Sequence, residues 1–161
     1  MTETPQLQTL FAYKFDTTHR LLAIARELQE DELERDPEYG RGSVKALFVH
    51  LLSADRGWRI GLETGQQPEG IQADQYPDLD SLQQAFEEEG SAWQTYLASL
   101  DQQAVSSEIE LTTRRGMKRT FPRWRIIHHL LLHGMQHHAE LAQLLTEYGH
   151  SPGDLDFIFY R

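Results

Sequence analysis

The chain has 161 residues, of which 15 are Lys or Arg and 25 are Asp or Glu, so its formal net charge is −10. It contains no cysteine and eight histidines. The acidic balance argues against nucleic acid or an anionic membrane as the main partner, because both attract clustered basic residues. The lack of cysteine excludes structural disulfides, thiolate metal sites and a cysteine nucleophile. Any transition-metal site must therefore be built from imidazole, carboxylate or water.

The length predicts a single domain over residues 1–161, because a chain of this size buries enough surface for one core. The first residues, from Met1 to Pro5, lack the basic and apolar segments of a secretion signal. Apolar runs such as Leu130 to Leu132 are far too short to span a bilayer. We therefore expect a cytoplasmic protein with no membrane partner.

Hydrophobic periodicity predicts four long helices, and the first two occupy the N-terminal part of the chain. The first covers about residues 5–28 and is followed over 31–42 by a connection that contains proline and glycine. Ser43 is suited to cap a second helix, which extends to about Glu63 and ends before Gly65.

A third helix and a short hairpin are predicted next. The polar residues 66–79 form a loop, and the third helix opens at Asp80 or Ser81. The period then changes, because polar and apolar residues alternate over 108–112. This segment and residues 117–121 are joined by a turn at Arg115-Gly116, which predicts a β-hairpin.

The C-terminal third of the chain predicts one more helix and an apolar tail. Pro122 suits the first turn of a fourth helix, which runs to about Tyr148 and ends at Gly149. The tail, residues 151–161, is so apolar that we expect it to pack on the helices or on a second subunit. Four long helices in a chain of this size predict an all-α four-helix bundle, a fold whose metal sites face inward from the helices.

Two histidines lie in the middle of the apolar stripe of the fourth helix. At about 100° per residue, His133 and His137 face the same side, one turn apart. This spacing allows one metal ion to bind both imidazoles. The alternative is a pair of core histidines, each satisfied by a hydrogen bond. We favour the metal, because partners for two buried neutral imidazoles are scarce in a core.

The second helix supplies a third candidate ligand, His50. It lies at the edge of that helix's apolar stripe, beside small residues that leave room for an ion, water or ligand. Alternatively, the small residues only let two helices approach closely. Together with the pair on the fourth helix, His50 predicts a three-His site with open coordination positions, which is the pattern of catalytic metal sites. The small residues are Ala46, Ala54, Gly57 and Gly61.

The other five histidines lack this spacing. His128 is predicted on the opposite face of the fourth helix, in solvent. His129 and His138 are placed about 80° and about 100° from the stripe on its two sides, at the rim of the site or behind the ligands. Neither His19 nor His150 has a spacing that singles it out.

Two further positions bear on the chemistry. The segment from His133 to His137 resembles the HExxH motif of zinc proteases, but Gly134 stands where that motif needs its general-base Glu. We therefore do not expect metalloprotease chemistry. Asp55 is predicted near the apolar side of the second helix, where we favour a structural role over one in orienting a ligand.

Three segments together resemble the DinB/YfiT-like family of damage-inducible metalloproteins. They are His50 to Trp58 in the second helix, His129 to His138 in the fourth, and Gly149 to Phe157 in the tail. The resemblance covers essentially the whole chain. It implies an up-down-down-up bundle that is often a homodimer. The family name suggests DNA damage, but the acidic charge gives no support for contact with DNA.

The same resemblance implies a ligand set and a range of metals. By it, His50, His133 and His137 bind a divalent metal ion, with zinc or nickel ahead of iron or manganese. One departure concerns the residues after the last ligand, where the family often has Arg-Gly and this chain has His138-Ala139. An anion-handling role for that family arginine therefore does not carry over.

The resemblance further implies a function in which a small thiol takes part. Characterised relatives include metal-dependent transferases and isomerases that use thiols such as bacillithiol or mycothiol, and glutathione is a further candidate. A metal-dependent S-transferase acting on small electrophiles is therefore the first hypothesis, and a chain without cysteine suits it. A non-enzymatic stress-response protein that binds metal is the alternative. A third option is a dimeric helical module whose site is vestigial.

Overall fold

The computed structural model describes residues 4–161, in which four long helices, two short ones and one hairpin follow each other along the chain. Two single turns of 3₁₀-helix, Ala73–Gln75 and Phe157–Phe159, lie in the connections. The elements are α1 (Thr4–Ala25), α2 (Glu30–Glu34), α3 (Val44–Thr64), α4 (Leu79–Ala98), α5 (Gln102–Ser106), β1 (Glu108–Thr112), β2 (Lys118–Pro122) and α6 (Arg123–Glu147).

The four long helices form an up-down-down-up bundle, as expected. Helices α1 and α3 each pack against both α4 and α6. The Gln94 side chain, late in α4, donates to the Gln8 carbonyl, early in α1, so these two helices are antiparallel. The Arg123 guanidinium, at the start of α6, donates to the carbonyl of Leu62, near the end of α3. Helices α3 and α6 are therefore antiparallel as well.

The interior of the bundle is filled by the apolar stripes of the long helices. Phe11 of α1 lies against Trp93 of α4, with ring centroids 4.5 Å apart, and Phe48 of α3 meets Phe86 of α4 edge to face at 6.4 Å. All four side chains are fully buried. Burial of a side chain of this size contributes about 1.5–3 kcal/mol, so these contacts stabilise the arrangement of the helices around the site.

Local signals set the ends of the long helices. The Ser43 hydroxyl accepts a hydrogen bond from the Ala46 amide, and Gly65 ends α3 in the left-handed region at φ 76°. Both predictions are confirmed. Helix α4 begins one or two residues earlier than predicted, because the Asp78 carboxylate caps it by accepting from the Ser81 amide.

The hairpin before the last helix is confirmed, and two short helices were missed. Glu108 pairs with Pro122 and Thr112 with Lys118, and the turn contains Gly116 at φ 74°. The segment predicted as a plain connection includes α2, and α5 precedes β1. Each short helix has five residues, too few for a hydrophobic period to be read.

The C-terminal tail packs along α1, which is the first of the two placements predicted for it. The Tyr13 hydroxyl donates to the Leu155 carbonyl, and the Tyr160 hydroxyl donates to the Asp16 carboxylate. The tail also leaves apolar surface uncovered, since Ile158 is 81% exposed. In the part of the chain that the structure describes, none of the helices has the length and apolar character needed to cross a membrane.

Candidate metal site and the adjoining cavity

Three histidines meet where α3 packs against α6. The antiparallel packing places His50, in the second turn of α3, opposite the middle of α6. Nε2 of His50 lies 3.0 Å from Nε2 of His133, and one ring nitrogen from each of these residues and His137 lies within 4.8 Å of the others. Two nitrogens bound to one tetrahedral zinc ion are about 3.4 Å apart. The spacing of the cluster therefore fits a single ion with three imidazole ligands.

The environment of the cluster favours uncharged imidazoles. Burial, helped by the neighbouring His137, lowers the pKa of His50 to about 4 and that of His133 to about 3. Both rings are therefore neutral at pH 7. A neutral imidazole keeps a lone pair on one ring nitrogen, which is the form that binds a metal.

A carboxylate orients the third histidine from one turn further along α6. Nδ1 of His137 lies 2.9 Å from Oε2 of Glu140, and the histidine is 1% exposed. An Nδ1–H that donates to a carboxylate leaves Nε2 free as a ligand atom and makes it more basic. Sequence reasoning missed Glu140. Its signal was the i, i+3 spacing from His137, which puts both side chains on one face.

The two histidines predicted beside the site lie in different environments. His129 is exposed at the rim, and its ring centroid is 5.6 Å from that of His133 and 5.9 Å from that of Trp58. His138 is not at the rim, because α1 covers its face of α6. It is 1% exposed and lies 2.8 Å from the Thr18 hydroxyl, and burial lowers its pKa to about 3.

Two of the remaining histidines bond elsewhere. Nδ1 of His128 donates to the Trp124 carbonyl one turn earlier in α6, and this histidine is half-buried. Nδ1 of His19 lies 3.1 Å from the Gln83 amide nitrogen, across the α1–α4 contact. Neither belongs to the cluster, as their lack of spacing indicated.

A buried ion pair joins α1 to α3 in the interior of the bundle, close to the cluster. The Lys14 ammonium contacts the Asp55 carboxylate, and the two residues are 1% and 0% exposed. Burial raises the pKa of Asp55 to about 6, and the charge of Lys14 opposes this shift. Asp55 therefore has the structural role that the sequence favoured, and its partner is a lysine on the apolar stripe of α1.

Gly134 lies against the same lysine. A Cβ at this position would lie 2.5 Å from Cε of Lys14, well inside van der Waals contact. The space that a general-base Glu would need in an HExxH motif is therefore occupied by Lys14.

The strip of small residues on α3 is filled by the chain itself rather than left open. A Cβ at Gly57 would lie 2.1 Å from Nη2 of Arg114, and one at Gly61 would lie 3.2 Å from Cγ of Gln67. The prediction that the whole strip leaves room for a ligand is therefore wrong. Ala54 is its one member that borders open space beside His50.

That open space is a cavity of about 550 Å³ directly beside the cluster. His50 and His133 form one part of its wall, and three arginines form another. Arg41 and Arg114 lower the pKa of His50 further, and the nearby Glu140 opposes them. Among residues 4–161, no acidic side chain lines the cavity itself. The lining residues are Arg41, His50, Ala54, Trp58, Gln67, Thr113, Arg114, Arg115, Met117 and His133.

The fold and the site define a helical bundle with a three-His cluster that opens on a cavity. The model of the DinB family matches residues 1–161, and the chain belongs to this family. Among solved structures, it is similar to a DinB-like protein of Bacillus subtilis, YjoA, with a TM-score of 0.68. The two are 18% identical, over 97% of this chain and 99% of that one. No curated protein matches the chain.

Proposed function

We propose that His50, His133 and His137 bind one divalent metal ion and that the chain is a metal-dependent thiol S-transferase. The observation that carries this proposal is the position of the cluster: His50 and His133 line a cavity of about 550 Å³, and His137 lies buried beside them. A purely structural metal site is closed by its protein ligands, whereas three ligands beside open space leave room for a substrate atom.

The donor set decides which metals suit the site. Three neutral imidazoles with no thiolate and no carboxylate ligand favour zinc or nickel, with iron or manganese as less suited occupants. When bound, such an ion lowers the pKa of a coordinated thiol and makes it a nucleophile at neutral pH.

The residues of the chain would position the reaction. Glu140 holds His137 in one tautomer, and Trp58 forms an apolar wall of the cavity. In the transfer, the thiol sulfur forms a bond to an electrophilic carbon, and the leaving group departs with its electron pair. The thiol proton is released to water through the open side of the cavity.

Metal content and turnover test the two parts of this proposal separately. Elemental analysis of protein purified without a histidine tag should find one metal ion per chain, and the His133→Ala variant should lose it. His128→Ala is the matched control, because it removes a histidine of the same helix outside the cluster. Equal metal content in the wild-type protein and His133→Ala would overturn the ligand assignment.

The metal-loaded protein should then join bacillithiol, mycothiol or glutathione to monochlorobimane, which becomes fluorescent on forming a thioether. Turnover no faster than that of His50→Ala, with metal still bound to the wild-type protein, would rule out the transferase. That result would favour the alternative, a non-enzymatic stress-response protein that binds metal.

We also propose that the partner on the uncovered apolar surface is a second copy of the chain. Leu132 and Met135 of α6 are exposed, as are Ile158 and Phe159 of the tail. An exposed apolar patch that is duplicated by two-fold symmetry is a common basis for a homodimer. Sedimentation should give a dimer for the wild-type chain and a monomer for Ile158→Glu, and equal masses would contradict this interface.

A further inference from the structure

The cavity beside the three histidines differs in charge from the rest of the molecule. The chain as a whole carries a net charge of −10, yet the described residues that line this space include three arginines and no Asp or Glu. A concave site lined by one sign of charge concentrates ligands of the opposite sign. The charge of the cavity is therefore opposite to the charge that the composition alone would suggest.

Arg114 is held in place beside the cluster by the bundle. Its guanidinium donates to the Ser53 carbonyl of α3 and lies in the space above Gly57, where any larger residue would displace it. Its backbone amide donates to the Gln67 side chain at 3.3 Å. A guanidinium has five N–H donors, and in residues 4–161 the Ser53 carbonyl is the one acceptor bonded to it.

The arginines of the cavity differ from Arg59 of α3, which has carboxylate partners. Arg59 contacts Glu89 through two nitrogens and also bonds Glu63. Within the described chain, no Asp or Glu forms an ion pair with Arg41 or Arg114. Arg59 is therefore a structural arginine, whereas the guanidinium groups of the cavity retain donors for a ligand.

We propose that Arg114, together with Arg41, binds a carboxylate carried by the thiol substrate, so that the site selects acidic thiols over neutral ones. The inference rests on the proposed function, because the sulfur of the same molecule would lie at the three-His site. Carboxylate is the group that a guanidinium binds best, through two parallel hydrogen bonds. A neutral thiol of the same shape leaves these donors without an anion.

The test compares ω-mercapto carboxylic acids of two to six carbons with their primary amides, which have the same shape and no charge. Cobalt-loaded protein reports binding of either thiol through the thiolate-to-cobalt absorption band. For the best-fitting chain length, we expect the acid to bind about 10-fold more tightly than the amide, or more, as for hydrogen bonds to a charged group. This preference should weaken as salt is added.

Variants separate the contribution of the cavity arginines to the preference for the acid from the contribution of the net charge of the protein. Arg114→Gln should abolish the preference for the acid, and Arg41→Gln should reduce it. Arg56→Gln is the matched control, because Arg56 is exposed on the same helix as His50 and does not line the cavity. An unchanged cobalt spectrum in the absence of thiol shows that each variant retains the metal site.

Each outcome of this experiment is decisive. If acid and amide bind equally well to the wild-type protein, the inference is overturned and the proposed thiol chemistry stands. If no thiol changes the cobalt spectrum, the proposed function fails and the inference fails with it. A preference that survives both Arg114→Gln and Arg41→Gln would show that other groups recognise the carboxylate.

Discussion

Two neighbouring regions of the bundle interior bury polar groups in different ways. Against α1, polar groups pair with protein: Lys14 with Asp55 of α3, and Thr18 with His138 of α6. Between α3 and α6, ring nitrogens of three histidines lie 3.0–4.8 Å from one another. Adjacent residues, His137 and His138, belong to different sides because they lie about 100° apart on the helix.

This difference separates structural from functional polar groups inside the bundle. A buried charge or imidazole that pairs with a protein group gains its main partner on folding, although Oδ1 of Asp55 and Nδ1 of His138 have no hydrogen bond within residues 4–161. In the cluster, Nε2 of His50 and Nε2 of His133 share a hydrogen bond, and a metal ion bound between the rings would replace the proton of that bond.

The largest effect is expected from breaking the ion pair on the α1 side. Asp55→Ala leaves the ammonium of Lys14 buried without a counter-charge, which should lower the free energy of unfolding by about 3–5 kcal/mol in urea denaturation. Replacing both residues, as Lys14→Met with Asp55→Leu, should recover much of this loss. Glu110→Ala, which breaks the exposed pair with Lys118, is the control and should leave stability nearly unchanged.

Metal removal should lower only the stability that the three-His cluster contributes, and it should leave the Lys14–Asp55 pair unaffected. With metal at about 100 times its dissociation constant, binding stabilises the folded chain by about 2.7 kcal/mol, which chelation removes. The measured quantity is the difference in melting temperature with and without chelator. His137→Ala should abolish this difference, while His138→Gln should retain it. The same difference in the wild-type protein and His137→Ala would contradict the division between the two regions.

A smaller effect is expected from the carboxylate behind the cluster. Glu140→Gln removes the anion that orients His137, and it should weaken metal affinity by about 10–100-fold, as measured by competition with a chelating dye. Glu147→Gln is the control on the same helix, since Glu147 bonds Tyr39 and Gln143 instead. If the two variants bind metal equally well, Glu140 has no part in the site.

The smallest effect concerns the close approach of α1 to α6. Gly134→Ala places a methyl group against Lys14, and overpacking of this kind costs about 1–3 kcal/mol. A gain of about 1 kcal/mol in helix propensity offsets part of that cost. We expect a net loss of about 1 kcal/mol in the free energy of unfolding. A variant more stable than the wild-type protein would show that Lys14 moves aside freely.

Much of the fold and the histidine pair of α6 could be predicted from the sequence alone, because both depend on local geometry, whereas His50 joined the prediction only through its place beside small residues and the family resemblance. The 3.6-residue period indicated the four long helices, and Ser43, Gly65 and Gly116 marked their boundaries and the turn of the hairpin. The i, i+4 spacing placed His133 and His137 on one face. None of these inferences needs to know which helices are neighbours.

The remaining features depend on contacts between residues that are distant along the chain, and only the tertiary structure decided them. A helix taken alone shows which residues share a face but not what packs on that face, so the sequence left His138 either at the rim or behind the ligands, and the cover by α1 decided against the rim. The space above Gly57 is filled by Arg114, 57 residues later, from the turn of the hairpin. The acidic composition could not indicate a basic cavity, because net charge averages over the chain while a ligand meets only the few groups that folding brings together.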